Sequence, residues 1–159
     1  MLITGETRIR KLDNMQRQFL GELSLNDKEA FVHYNFALPS LRRAIGILDF
    51  LHKCNLGTCH PALRSLFPNM VEISNAFHSR QLESFFASVR CNRVFYDNSL
   101  YMYILIYNRL PQEIVGAPSV TSFQGKLTQL AKLRAGRDEV HEWRSAFQSC
   151  QDVVNFFCA

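Results

Sequence analysis

The densest concentration of reactive side chains in the sequence is His52-Lys-Cys54-Asn-Leu-Gly-Thr-Cys59-His60. Thiolate and imidazole are donors that zinc prefers, and a loop between two helices can wrap an ion. Helix geometry restricts the set. If the helix carrying Leu41, Ile45 and Leu48 runs on through Cys54, then His52 and Cys54 point about 200° apart. His52 then falls on the apolar face, as a core histidine. A zinc site would draw on Cys54, Cys59 and His60, completed by His78, Cys91 or His141. The competing reading is structural: buried thiols beside a Cys-His-Pro helix start. Zinc is the single cofactor these residues suggest.

Covalent catalysis has weaker support. Any of the five cysteines (Cys54, Cys59, Cys91, Cys150, Cys158) can be paired on paper with one of five histidines, but no family signature surrounds them. Gly-x-Ser-x-Gly, His-Glu-x-x-His, the P-loop and Gly-x-Gly-x-x-Gly are all missing. The expectation is a protein that is not an enzyme.

Charge offers a different chemistry. The chain of 159 residues carries a net charge of +4, and the stretch from Arg80 to Arg134 accounts for all of it. Arg90-Cys-Asn-Arg93-Val-Phe-Tyr96 interleaves guanidinium groups with aromatic rings, a mixture suited to phosphate contact and base stacking. With Lys126, Lys132 and Arg134 these residues form a candidate RNA- or DNA-binding surface. The acidic cluster Asp138, Glu139 and Glu142 needs only a structural reason, since negative groups stabilise a helix N-terminus.

The elements that must position these residues are helices. Ile9, Leu12, Gln16, Phe19, Leu20 and Leu23 mark the core face of a first helix over 7–24, with Arg10, Asn14, Arg17 and Gly21 opposite. Asn26 and Glu29 form a capping box for a helix through Leu38, which Pro39 ends. Ser40 caps the next, and Asn55-Leu-Gly57 stops it. Pro61 opens a short helix. Asn69 and Ser79 look like caps of two more, the second with Leu82, Phe85, Phe86 and Val89 on one side. Leu100-Tyr-Met-Tyr-Ile-Leu-Ile-Tyr107 reads as a helix buried all round or as a buried strand, with the helix preferred. Residues 111–118 read as loop. Ser119 caps a helix bearing Val120, Phe123, Leu127, Leu130 and Leu133. A last helix over 137–157 aligns Val140, Trp143, Phe147, Cys150, Val154 and Phe157. Val153 and Phe156 fall off that stripe, so the tail is either fully buried or open to a partner.

The expected architecture is all-α: one compact domain over 1–159, a bundle of about seven to eight helices with a short irregular or strand segment possible near 93–107. Met1–Lys11 has no apolar run of the kind a signal peptide needs, and Leu100–Tyr107 falls short of the ~20 residues that span a bilayer. These features, with an odd cysteine count, point to an intracellular protein, cytoplasmic or nuclear, with no membrane partner. The functional expectation is a regulatory binding module, of a kind viruses also encode, acting on another protein or on itself as a homo-oligomer. Its candidate partner-binding residues are Arg10, Arg17, His141, Arg144 and Phe156. Nucleic-acid binding is the alternative, with or without zinc.

Overall fold

The computed structural model describes residues 3–65, 70–71, 85–86, 101–136, 143, 147 and 149–158. Helix α1 spans Ile3–Glu22 and α2 spans Asp27–Tyr34. Between them Asn26 and Glu29 form the expected capping box. The Glu29 N–H donates to Asn26 Oδ1 (2.8 Å), and the Asn26 N–H donates to Glu29 Oε2 (3.2 Å). Helix α2 stops short of the expected Leu38. Asn35 takes the left-handed conformation (φ 57°) and its N–H donates to Phe31 O, the role a C-terminal asparagine fills almost as well as glycine.

Helix α3 (Pro39–Asn55) begins one residue before the expected Ser40 cap. Pro39 occupies the first turn, where its missing N–H costs nothing. The orphan Ser40 N–H is satisfied from outside: it donates to the Asp13 carboxylate of α1 at 3.0 Å. At the other end Thr58 N–H reaches Lys53 O and Gly57 N–H reaches Cys54 O, a Schellman closure. Gly57 sits at φ +73°, where a side chain would be strained. Helix α4 (Pro61–Arg64) follows with Pro61 in its first turn.

Where two helices were expected, strand β1 (Met70–Val71) pairs antiparallel with β2 (Phe85–Phe86), Met70 opposite Phe86 and Val71 opposite Phe85. Val71, Phe85 and Phe86 are strand-favouring residue types, and the ladder forms despite the helical spacing of Phe85 and Phe86. The rest of that region lies outside the described residues.

Helix α5 (Tyr101–Tyr107) decides the ambiguous apolar run in favour of a helix. Met102, Tyr103, Ile104, Ile106 and Tyr107 are all buried, so it is the central rod of the core. The expected loop after it contains a short helix, α6 (Gln112–Val115), which turns Ile114 and Val115 inward. Helix α7 (Val120–Gly136) starts at Ser119, whose Oγ accepts from Ser122 N–H. Phe123, Leu127, Ala131 and Ala135 bury one face of it, while Leu133, expected in the core, is exposed.

Helix α8 is Cys150–Cys158, and of the earlier part of the helix expected over 137–157, residues 137–142, 144–146 and 148 lie outside the described residues. Ser149 and Asp152 cap each other: the Asp152 N–H donates to Ser149 Oγ, and the Ser149 N–H to Asp152 Oδ2. Trp143 and Phe147 lie in turns before it, yet both are buried. Among the described residues the assembly is an all-α bundle apart from the two-residue ladder. Helix α3 packs on α7, α5 on α8 and on α3, α1 on α3, and α2 on α7.

Candidate functional site

His52 is a core residue, as its helical position predicts. Its Nε2 lies 3.0 Å from Ala117 O and its Nδ1 lies 2.9 Å from the Tyr107 hydroxyl. A carbonyl only accepts, so Nε2 carries the hydrogen and Nδ1 accepts from Tyr107. Asn55 Nδ2 donates to the same hydroxyl at 3.1 Å, and the imidazole stacks on Phe123 with centroids 4.2 Å apart. The ring is fully buried, and burial holds its pKa below the usual histidine value. The cluster ties α3, α5 and α7 together and leaves no ring nitrogen for a metal.

Cys54 and Cys59 do come together. The Schellman closure folds the chain back so that both thiols are buried close to each other. Burial, then the neighbouring Cys59, pushes the Cys54 thiol up to about 12. His60 follows Cys59 in the chain, but it is exposed and its Nδ1 accepts from Ala62 N–H at 3.2 Å as the cap of α4. Among the described residues, no three His, Cys, Asp or Glu side chains converge as a metal site would need. The further donors His78, Cys91 and His141 lie outside the described residues. Because the thiolate is the nucleophile, peptide mapping after alkylation at mildly alkaline pH should find Cys54 unmodified in the folded protein and modified in denaturant. Equal labelling in both states would contradict this burial.

Among the described residues, the basic candidates Lys126, Lys132 and Arg134 do not share one face. Lys126 Nζ donates to Glu113 O at 2.6 Å, and the Lys132 ammonium sits 5.8 Å from the Phe31 ring centroid. The Arg134 guanidinium donates to Phe156 O. At 100° per residue Lys126 and Lys132 point about 120° apart on α7. Each of the three cations contacts a different helix: Lys126 reaches α6, Lys132 α2 and Arg134 α8. Arg90 and Arg93 lie outside the described residues.

The partner-binding candidates are reordered. Arg10 is exposed. Arg17 instead forms an ion pair with the buried carboxylate of Asp27 (2.6 Å) and donates to Asn14 Oδ1 (2.9 Å). Phe156 is in the core, 5 % exposed, edge-to-face with Trp143, Phe147 and Phe157. The tail is therefore buried on both sides. His141 and Arg144 lie outside the described residues.

What sequence reasoning missed is the orientation of α1. Its inward residues are Ile9, Asp13, Gln16, Arg17 and Leu20. Besides the Asp13 and Arg17 bonds, Gln16 Nε2 donates to Ala37 O (3.2 Å) and Gln16 Oε1 accepts from Arg42 (3.2 Å). Of the residues expected in the core, Ile9, Gln16 and Leu20 do turn inward, whereas Leu12, Phe19 and Leu23 face outward beside Met15. Leu12 is 50 % exposed, Met15 64 %, Phe19 52 % and Leu23 54 %. Leu12, Met15 and Phe19 lie in one row within about 60° of the helix circumference, and Leu23 continues it in the turn after α1. Phe36, under the Arg42 guanidinium, is a further exposed ring near Gln16. A signal was present: Asp13, Gln16 and Arg17 lie in helical register with Ile9 and Leu20, a polar stripe able to meet buried backbone groups.

No family model matches this chain, and no curated protein or solved structure matches it either. No helix among the described residues is long and apolar enough to cross a membrane.

Proposed function

We propose that this chain is a non-enzymatic, regulatory helical module, cytoplasmic or nuclear, that acts by protein–protein contact through the outer face of α1. The observation that carries this reading is the row Leu12, Met15, Phe19 and Leu23, held outward while polar Asp13, Gln16 and Arg17 are fastened inward. Together the four side chains leave on the order of 400 Å² of contiguous apolar surface, a size at which a patch on a monomer is often functional. Its exposure is not loose packing, because four polar links fix the rotation of the helix. The nucleic-acid alternative draws no comparable support, since Lys126, Lys132 and Arg134 are each engaged within the fold.

The test is a photo-crosslinking side chain placed in turn at Met15, Phe19 and, as a control on another side of the helix, Asn14. Irradiation in cells should give one discrete protein adduct from the first two positions and none from the third. No adduct, or the same smear from all three, would remove the reading.

A further inference from the structure

The geometry points to one occupant for this face: a second copy of the chain, its α1 laid antiparallel against the first. The inference rests on reading α1 as the docking face, and three features of the helix favour self-pairing.

The first is the register of the apolar row. Leu12, Met15, Phe19 and Leu23 recur at intervals of three and four residues, the seam along which two helices interlock. A two-fold axis at Arg17 sets Met15 against Phe19 of the partner subunit and brings Leu12 within one residue of Leu23 of the partner subunit. The row meets its own inverse to within one residue.

The second is charge. Exposed Arg8 and Lys11 flank the row at its N-terminal end and exposed Glu22 flanks it at the C-terminal end, all on the side turned from the body. Inversion brings Lys11 beside Glu22 of the partner subunit, twice per pair. Glu22 stands in the last turn of α1, which has no basic residue. There a negative charge opposes the helix dipole, and a neighbouring cation from a second copy relieves it.

The third is area. Pairing the rows with their charged flanks buries about 1,000 Å² in all, near the lower end of specific interfaces and suited to a reversible dimer. Affinity should lie in the micromolar range and fall with salt, because the flanking pairs are exposed.

Sedimentation of the purified full chain tests this. The mass should rise with concentration from 18.4 kDa toward twice that value. Phe19→Glu should raise the dissociation constant tenfold or more, with an unchanged circular dichroism spectrum showing that it still folds. Glu22→Lys should weaken the dimer several-fold, and adding Lys11→Glu to it should restore the original value, a rescue peculiar to self-pairing. A chain that stays monomeric at every concentration overturns the inference, as does self-association indifferent to Phe19→Glu. The crosslinking result then separates the two ideas. Adducts to a different protein with a monomeric chain sink the homodimer alone, whereas neither adduct nor dimer sinks both.

Discussion

Replacing His52 with alanine should lower the free energy of unfolding by about 3–5 kcal/mol, a large share of the stability of a domain this size. Three losses coincide. The stacking on Phe123 disappears, a cavity opens between α3, α5 and α7, and Ala117 O and the Tyr107 hydroxyl lose a buried partner. Tyr107→Phe keeps the volume and removes only the hydroxyl, so it should cost about 1–2 kcal/mol. Urea denaturation of the two variants beside the parent chain measures both. Equal losses, or a His52→Ala loss below that of Tyr107→Phe, would refute this account of the cluster.

The same residue gives the protein an acid sensitivity with a definite sign. His52 resists protonation when folded, but the unfolded chain takes up the proton near the ordinary value of 6.5. The unfolded state therefore binds more protons, and the His52 contribution is lost as pH falls below that value toward the lower folded one. Asp49 acts in the opposite direction. Burial raises its carboxyl from 3.8 to about 6, so it destabilises the fold above about 6 and that penalty is relieved on acidification. Asp49→Asn should raise stability near pH 7.5 by about 1–2 kcal/mol and make the decline toward pH 5 steeper, since only the histidine arm remains. Urea midpoints at the two pH values report it, and an unchanged slope would show that Asp49 is not strained.

The second large effect separates two phenylalanines whose roles are exchanged relative to the sequence reading. Phe156→Ala should cost about 3–4 kcal/mol, because its ring makes edge-to-face contacts with Trp143 and Phe147 at centroid distances of 5.9 and 4.7 Å. Phe19→Ala should cost less than about 1 kcal/mol, since half of that ring already faces water. Thermal melts of the two variants decide it. If Phe19→Ala proves the more damaging, α1 is docked by its apolar row after all.

Local signals carried much of the fold. Asn26 with Glu29, Gly57, Pro61 and Ser119 act within one or two turns of their own positions, and the structure uses each where the sequence places it. The core faces of α3 and α7 were likewise legible from Leu41, Leu48, Phe123 and Leu127. Failures occur where the deciding partner is distant. Asp13 turns inward to meet a backbone N–H of α3, and Arg17 turns inward to meet Asp27, so the usual sorting of apolar from polar reverses on α1. The pair Ser149 and Asp152 marks the true start of α8, but the continuous stripe through Trp143 and Phe147 masks it. Of the candidate chemistry, the position of His52 in the core was readable. The closeness of Cys54 and Cys59 depends on a turn geometry that spacing alone does not specify.

The bond from Asp13 to Ser40 N–H has a consequence beyond anchoring. A carboxylate on one helix supplies the terminus of another, so the two cannot change independently: displacing α1 strips the first turn of α3 of its acceptor. The rod that also holds His52 therefore depends, at its N-terminal turn, on how α1 is seated.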